Sequence, residues 1–469
     1  MKVGDIQVLL AASNRWWRDP EGWARGDPNL RAAAAAPFSY RAGALNGLIP
    51  GGLYVLRGPR RAGKSTEVKY AISDLLTAGV PPRNIVHASV DGWRAGDLRV
   101  LVTSAARTFL AGTTGVRYWF LDEVSSIPDG WPQVIKSLRD TDVQFSADTV
   151  VLTGSSAAGL HDARKALAGR RGDATDTDRT LLPMRFVDVV AAAGLRLPEV
   201  PRVVPAELSD ADGRAAVQEL LPYLSDLVDL WESYLRIGGF PQAVTGWLSA
   251  GDVEAPLVDA LWDVVYGDAI EASRFSALQT LTLLDRLSAN LCSPLNISDL
   301  ARDLDVGREA ADARLADLTE SFLAWPCHRE QGMCAHLASQ RKWYFTDPLL
   351  ARLASLRGLG REPDLTQLSQ QQVGLALLRT LDGVTDGRAA DFDRLMYYRS
   401  ASRTEIDFVA RQMDGVAVES KYVDDGWTRD LQTVTASPWR GILASRSGLE
   451  WRDQAVVIPA AFLAVLLHA

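Results

Sequence analysis

The chain has 469 residues, 47% of them hydrophobic and 23% charged, with a formal net charge of −8. That length suggests about three domains, and the composition is globular, which excludes intrinsic disorder as the main state and a globally basic nucleic-acid coat. Three cysteines (Cys292, Cys327, Cys334) do not make a disulfide scaffold and fit a reducing, cytoplasmic setting.

The N-terminal stretch reaches Trp16-Trp17-Arg18-Asp19 after a short apolar run and shows no cleavage site, so it reads poorly as a signal peptide. Trp16, Trp17 and Trp23 are expected to pack this segment onto the next domain. From Gly52 the pattern changes. LYVLRG is a short strand running into a glycine loop, and the polar helix KSTEVKYAISDLL follows. The strands NIVHASV, VRYWFLDEV and DTVVLTGSS then alternate with helices around Asp97–Leu110 and Pro132–Arg139. Strands and helices alternating at this spacing predict a parallel α/β sheet.

Gly58-Pro59-Arg60-Arg61-Ala62-Gly63-Lys64-Ser65 fits G-x-x-x-x-G-K-S/T and leads through Thr66 into the helix. Backbone N–H groups of such a loop point at phosphate oxygens, and the helix N-terminus adds partial positive charge. Lys64 is expected to bridge the β- and γ-phosphates of ATP, and the Ser65 hydroxyl to ligate Mg²⁺. One βα unit further on, an apolar strand ends in Asp122-Glu123. Asp122 would hold Mg²⁺ through water, and Glu123 would polarise the attacking water. The next strand ends in Thr153-Gly154-Ser155-Ser156, where a hydroxyl could meet the γ-phosphate. The residues do not say which one, and Ser155 is the candidate. Residues 161–182 read as a charged surface excursion. Of its Arg170, Arg171 and Arg179, Arg170 is the candidate arginine finger, in cis or from a neighbouring subunit.

Residues 186–276 read as helices with apolar stripes. Ser298–Leu304, a turn at Asp305–Gly307, and Arg308–Ser321 read as helix–turn–helix, with Ser298 as N-cap and the following segments as a wing. Seven acids against three arginines between Asp299 and Glu320 argue against a phosphate-facing recognition helix and favour a structural or protein-facing one. Cys327, His328, Cys334 and His336 lie nearby, but their spacing matches no common zinc pattern. The apolar stretch Ala455–Leu467 is too short to span a bilayer and contains Pro459, so no membrane partner is expected.

The C-terminal part carries a second chemical signal. Asp407 lies in the alternating strand IDFV, and Glu419-Ser420-Lys421 ends the next strand, VAVESK. A carboxylate on one strand with E-x-K on its hairpin partner is the arrangement of PD-(D/E)xK nucleases. Asp407 and Glu419 are therefore expected to hold Mg²⁺, and Lys421 to position or deprotonate water. The preceding helix offers Gln370, Gln371 and Gln372 where a further acid is usual.

YVLRGPRRAGKST, FLDEV followed by Trp131, VLTGSSA followed by AGRRG and LLPMRF, and ESYLRIGGFPQAV together resemble the prokaryotic AAA-type ATPases of the AAA_14/DUF4143 architecture. The resemblance implies an AAA+-type P-loop core, a helical lid, a winged-helix-like segment and a nuclease-like C-terminal domain. The expected division is a lead-in over 1–40, the ATPase core over 41–200, the lid over 201–276, the winged-helix-like domain over 277–357 and the α/β nuclease-like domain over 365–469. The expected function is Mg-dependent ATP hydrolysis coupled to movement of the C-terminal domain. The alternatives are an ATP-regulated nuclease acting on DNA, for example in genome defence, and a nucleotide-gated binding switch without cleavage. AAA-type cores often form rings, so a homo-oligomer is a further expectation.

Overall fold

A computed structural model of the chain describes residues 1–154, 166–268, 275–400 and 404–467. They divide into two compact units, Met1–Leu182 with Val384–Ala389 and Pro183–Gly383 with Ala390–Ala469.

In the first unit, helix α1 (Val3–Ser13) precedes strand β1 (Leu53–Arg57) and helix α2 (Lys64–Thr77). Strands β2 (Ile85–Ser89) and β3 (Tyr118–Asp122), helix α3 (Trp131–Thr141), and strands β4 (Thr149–Gly154) and β5 (Asp178–Thr180) follow. The strand order is β2-β3-β4-β1-β5, and every pairing is parallel. Leu53, Val55, Trp119, Leu121, Val150 and Leu152 face one apolar layer. Tyr54, Leu56, Tyr118, Phe120 and Val151 face the other. Burial on both faces is why these strands read as apolar runs rather than alternating ones. The architecture is the expected α/β one, and the C-terminal ends of the strands lie along one edge of the sheet, where open α/β sheets form their crevice.

Strand β2 is an edge, and the N-terminal segment covers it with side chains. Asn14 is fully buried. Its amide donates to the His87 carbonyl at 2.9 Å and accepts from the His87 N–H at 2.7 Å. The indoles of Trp16 and Trp17 both donate to the Ile85 carbonyl. Backbone groups that would otherwise invite another strand are thereby satisfied.

In the second unit, helix α4 (Leu224–Ile237), helix α5 (Ala277–Ala289) and strand β6 (Pro294–Leu295) lead to helices α6 (Ile297–Asp303) and α7 (Arg308–Glu320). Strands β7 (Ala324–Gln331), β8 (Cys334–Ala335) and β9 (Arg341–Phe345) follow, then helices α8 (Pro348–Leu356) and α9 (Leu365–Asp382). The chain continues through β10 (Met396–Arg399), β11 (Glu405–Val409), β12 (Val416–Ser420), helix α10 (Thr428–Thr435), β13 (Arg440–Ser445), β14 (Glu450–Arg452), β15 (Ala455–Pro459) and helix α11 (Ala460–Leu466). One mixed ten-stranded sheet runs β14-β15-β13-β12-β11-β10-β7-β9-β6, with β8 on β7. The hairpin after the helix–turn–helix and the C-terminal strands therefore share a sheet. The cap of α6 is Asn296, whose side chain accepts from the Ser298 N–H, and not Ser298 itself. Asn296 has the extended backbone that a cap requires and precedes the first helical residue. No helix among the described residues is long and apolar enough to cross a membrane.

A buried carboxylate fastens the helices of this unit. Asp347 caps α8 by accepting from the Leu349 N–H at 2.9 Å, and its other oxygen accepts from the Gly239 N–H at 2.7 Å. Gly239 in turn accepts from the Met184 N–H at 2.7 Å. A Cβ on Gly239 would stand 2.2 Å from the Met184 carbonyl oxygen, and one on Gly238, at φ +77°, would stand 2.1 Å from Asp347 Oδ1. That crowding is the physical reason for the Gly-Gly pair in IGGFP.

Burial pushes the Asp347 carboxyl up to about 7, although both N–H donors and the charge of Arg379 favour the ionised form. An unfolded Asp titrates near 3.9. The protonated form is therefore favoured by folding, and stability is lost as pH rises through the folded value. The unfolding midpoint is expected to fall between pH 5 and pH 8 more steeply in the wild type than in Asp347→Asn, as followed by thermal denaturation. Equal slopes would contradict this assignment.

Candidate functional site

The phosphate loop follows β1. Gly58 has φ +151°, and a Cβ there would lie 1.9 Å from the Leu181 carbonyl oxygen, so only glycine fits. Leu181 is held in place because its N–H donates to the Arg57 carbonyl at 2.8 Å. Pro59 and Ala62 are buried and Arg60 and Arg61 exposed, and Arg61 has left-handed backbone at φ +67°. Gly63, at φ +105°, precedes α2 and has no side chain to cap it. The dipole end of α2, where Lys64, Ser65 and Thr66 lie, is therefore open to an anion. Lys64 is buried, and its ammonium folds back onto the Gly58 and Pro59 carbonyls at 2.8 and 3.0 Å.

Because β4 lies between β1 and β3, its last residues separate the loop from the acids at the end of β3. Asp122 is buried, and Thr153 on β4 donates its hydroxyl to Asp122 Oδ1. The same hydroxyl accepts from the Glu123 N–H at 3.1 Å. Glu123 is half-buried and has left-handed backbone at φ +61°. A non-glycine residue in that region carries strain of about 1–3 kcal/mol, which persists where the surroundings dictate it and marks functional sites. The sheet thus brings Lys64, Ser65, Asp122 and Glu123 to one edge. The described hydroxyl of the Thr-Gly-Ser-Ser group is that of Thr153; Ser155 and Ser156 lie outside the described residues. An apolar strand that ends in a hydroxyl beside the acid-bearing strand is the signal that could have selected Thr153.

Arg170 lies elsewhere. Its guanidinium makes a two-pronged pair with Asp140 at 2.7 and 3.0 Å on the surface. Its neighbour Arg171 accepts from the Leu53 N–H, at the start of β1. The loop follows the other end of that five-residue strand, about 15 Å away at the usual rise per residue. Arg170 therefore does not reach the loop of its own chain. Arg179 is buried and donates to the Ala44 and Asn46 carbonyls, and Arg171 pairs with Asp178.

In the second unit, Asp407 and Glu419 lie opposite one another on the antiparallel pair β11–β12, one step beyond the Phe408–Val418 partners. With Lys421 and Gln370 they line an open cleft of about 440 Å³. The cleft differs from a metal site in one respect that the sequence reading missed. Lys342 on β9 is completely buried and pairs with Asp407 Oδ1 at 2.9 Å and Glu405 Oε1 at 2.8 Å. Gln370 donates to the same Asp407 oxygen at 2.7 Å, and the Ser420 N–H donates to Oδ2 at 3.1 Å. Glu419 accepts from the Asp407 N–H at 3.1 Å and pairs with Lys421 at 3.1 Å. The carboxylates expected to hold Mg²⁺ are thus engaged by the chain's own donors, and the residues do not fit that ion. Among the described residues, no group of three His, Cys, Asp or Glu is arranged to hold a metal. Burial raises the Glu419 carboxyl to about 8, and the neighbouring Asp407 adds to this. A lysine inside the apolar run KWYF was the available signal. The Cys/His group is likewise dispersed: Cys327 is buried, Cys334 exposed, His328 pairs with Asp393 and His336 with Ser339.

Residues 51–190 match the family described as AAA domain, and residues 228–362 match a domain of unknown function, DUF8612, rather than DUF4143. No curated protein matches the chain. Among solved structures, it is similar to a Walker-type ATPase of Pyrococcus abyssi, at 13% identity and TM-score 0.39 over 72% of this chain and 95% of that one. It is also similar to the ORC1 protein of Aeropyrum pernix in complex with DNA, at 14% and 0.31 over 73% and 96%. A single-site variant of RuvB from Thermotoga maritima gives 16% and 0.28 over 63% and 87%. The chain carries an AAA-type P-loop ATPase domain. That statement rests on the matched segment together with the chain's own strand order and loop.

Replacing Thr153 by valine keeps the shape but removes both hydrogen bonds that set Asp122 and Glu123. The Thr153→Val protein is expected to lose at least ~10-fold in ATP turnover while nucleotide affinity changes only a few-fold. A coupled phosphate-release assay and a nucleotide titration measure the two quantities. Unchanged turnover would show that the hydroxyl does not position the acids.

Proposed function

We propose that the chain binds ATP with Mg²⁺ and hydrolyses it at the C-terminal edge of the first sheet. The observation that carries this reading is the meeting of the loop lysine, Ser65, Asp122 and Glu123 at that edge, within the segment that matches the AAA domain. Asp122 fits a cation-associated role. It is buried, and its hydrogen-bonding partner is a neutral hydroxyl rather than an ammonium or guanidinium.

Loop N–H groups and the α2 dipole would hold the phosphates, and Lys64 would exchange its two loop carbonyls for the β- and γ-phosphate oxygens. Ser65 and, through water, Asp122 would hold Mg²⁺, which neutralises phosphate charge when bound. Glu123 would orient and polarise the attacking water, its carboxylate aimed by the left-handed backbone that Thr153 supports. Nucleic-acid cleavage at Asp407, Glu419 and Lys421 is not part of this reading, because a buried ammonium already occupies that carboxylate site.

Phosphate release by the full-length protein with Mg²⁺ tests the proposal. Lys64→Ala is expected to weaken ATP binding at least ~10-fold, since it removes a charge-assisted phosphate contact. Glu123→Gln is expected to bind ATP normally and to lose at least ~100-fold in turnover, the usual scale for a general base. A wild type that binds ATP without releasing phosphate would leave a nucleotide-gated switch and refute hydrolysis.

A further inference from the structure

The Asp407 cleft holds a group of buried ionisable side chains that the ATPase reading does not use. Its arrangement can be counted donor by donor. A carboxylate oxygen has two in-plane lone pairs, and both on Asp407 Oδ1 are taken, by Lys342 at 2.9 Å and Gln370 at 2.7 Å. An ammonium has three N–H donors. Those of Lys342 meet Asp407, Glu405 at 2.8 Å, and the face of Tyr397, whose ring centre is 5.3 Å away. The lysine cannot easily swing out. Strand β9 is held on both sides, with Lys342 registered against Cys327 of β7 and Pro294 of β6. Leaving would break two ion pairs of a fully buried ammonium, those with Asp407 and Glu405.

We propose that Lys342 is the resident cation of this cleft, standing where a divalent ion would bind the Asp407 carboxylate and excluding it. The cleft then presents Lys421 and Glu419 without a metal. A cation drawn to Asp407 Oδ1 would meet the ammonium at close range, and like charges so placed repel strongly in a low-dielectric site. Gln370 fits the same arrangement. Its amide donates to Asp407 and to the Tyr344 hydroxyl oxygen, a role that a carboxylate at that position could not fill.

The test is Mn²⁺ binding by the full chain without nucleotide, followed by electron paramagnetic resonance. It does not depend on ATP hydrolysis and can fail separately from it. Wild type and Asp407→Asn are expected to give the same Mn²⁺ titration. Lys342→Met is expected to gain a Mn²⁺ site at least tenfold tighter than any in that cleft of the wild type, and Lys342→Met with Asp407→Asn to lose it. Loss of a Mn²⁺ site in Asp407→Asn alone would overturn the proposal. So would a folded Lys342→Met protein that gains no site. Should Lys342→Met fail to fold, the comparison of wild type with Asp407→Asn still decides the matter.

Discussion

A buried carboxylate must find either a proton, a hydrogen-bond donor or a counter-charge, and three aspartates in this chain meet that requirement in different ways. Asp347 takes two backbone N–H groups and is raised towards neutrality. Asp407 takes the Lys342 ammonium. Asp122 takes the neutral Thr153 hydroxyl as its hydrogen-bond donor, with the Lys69 ammonium acting on it through charge alone. The first solution makes a joint between helices, the second closes a site, and the third leaves a negative charge beside a phosphate loop. On the proposed reading, chemistry that needs an external cation belongs with the third.

The sheet of the first unit makes that third solution useful. Placing β4 between β1 and β3 puts one hydroxyl-bearing residue between the loop and the acids. The loop itself depends on a close approach, since the Leu181 carbonyl occupies the space that any side chain at Gly58 would need. The edge of this sheet is closed by the buried amide of Asn14 and two indoles from the N-terminal segment, so strand β2 keeps its register without a further strand. Backbone constraint and side-chain burial therefore set the site before any ligand arrives.

The parts of this organisation that depend on local pattern were legible in the sequence. The glycine loop, the apolar strand ending in Asp122-Glu123 and the hairpin bearing Asp407 and Glu419 all show in short windows, because strand, loop and helix signals are local. What depends on distant pairing was not. Lys342 lies 65 residues from Asp407, and nothing local announces that β9 and β11 share a sheet. Arg170 looked like a finger because its segment is charged, yet the strand direction places it at the far end of β1. That Thr153 sets Asp122 likewise depends on the pairing of β3 with β4. The cap of α6 moved from Ser298 to Asn296 because β6 delivers the chain two residues earlier.

On the proposed reading, the described residues offer a divalent cation a place at the phosphate loop, whereas the Asp407 site is filled by Lys342. The most direct measurement is the number of Mn²⁺ ions bound per chain in the presence of a non-hydrolysable ATP analogue. One is expected, lost in Asp122→Asn and retained in Asp407→Asn. Two ions per chain, or one that disappears with Asp407 and survives without Asp122, would contradict it.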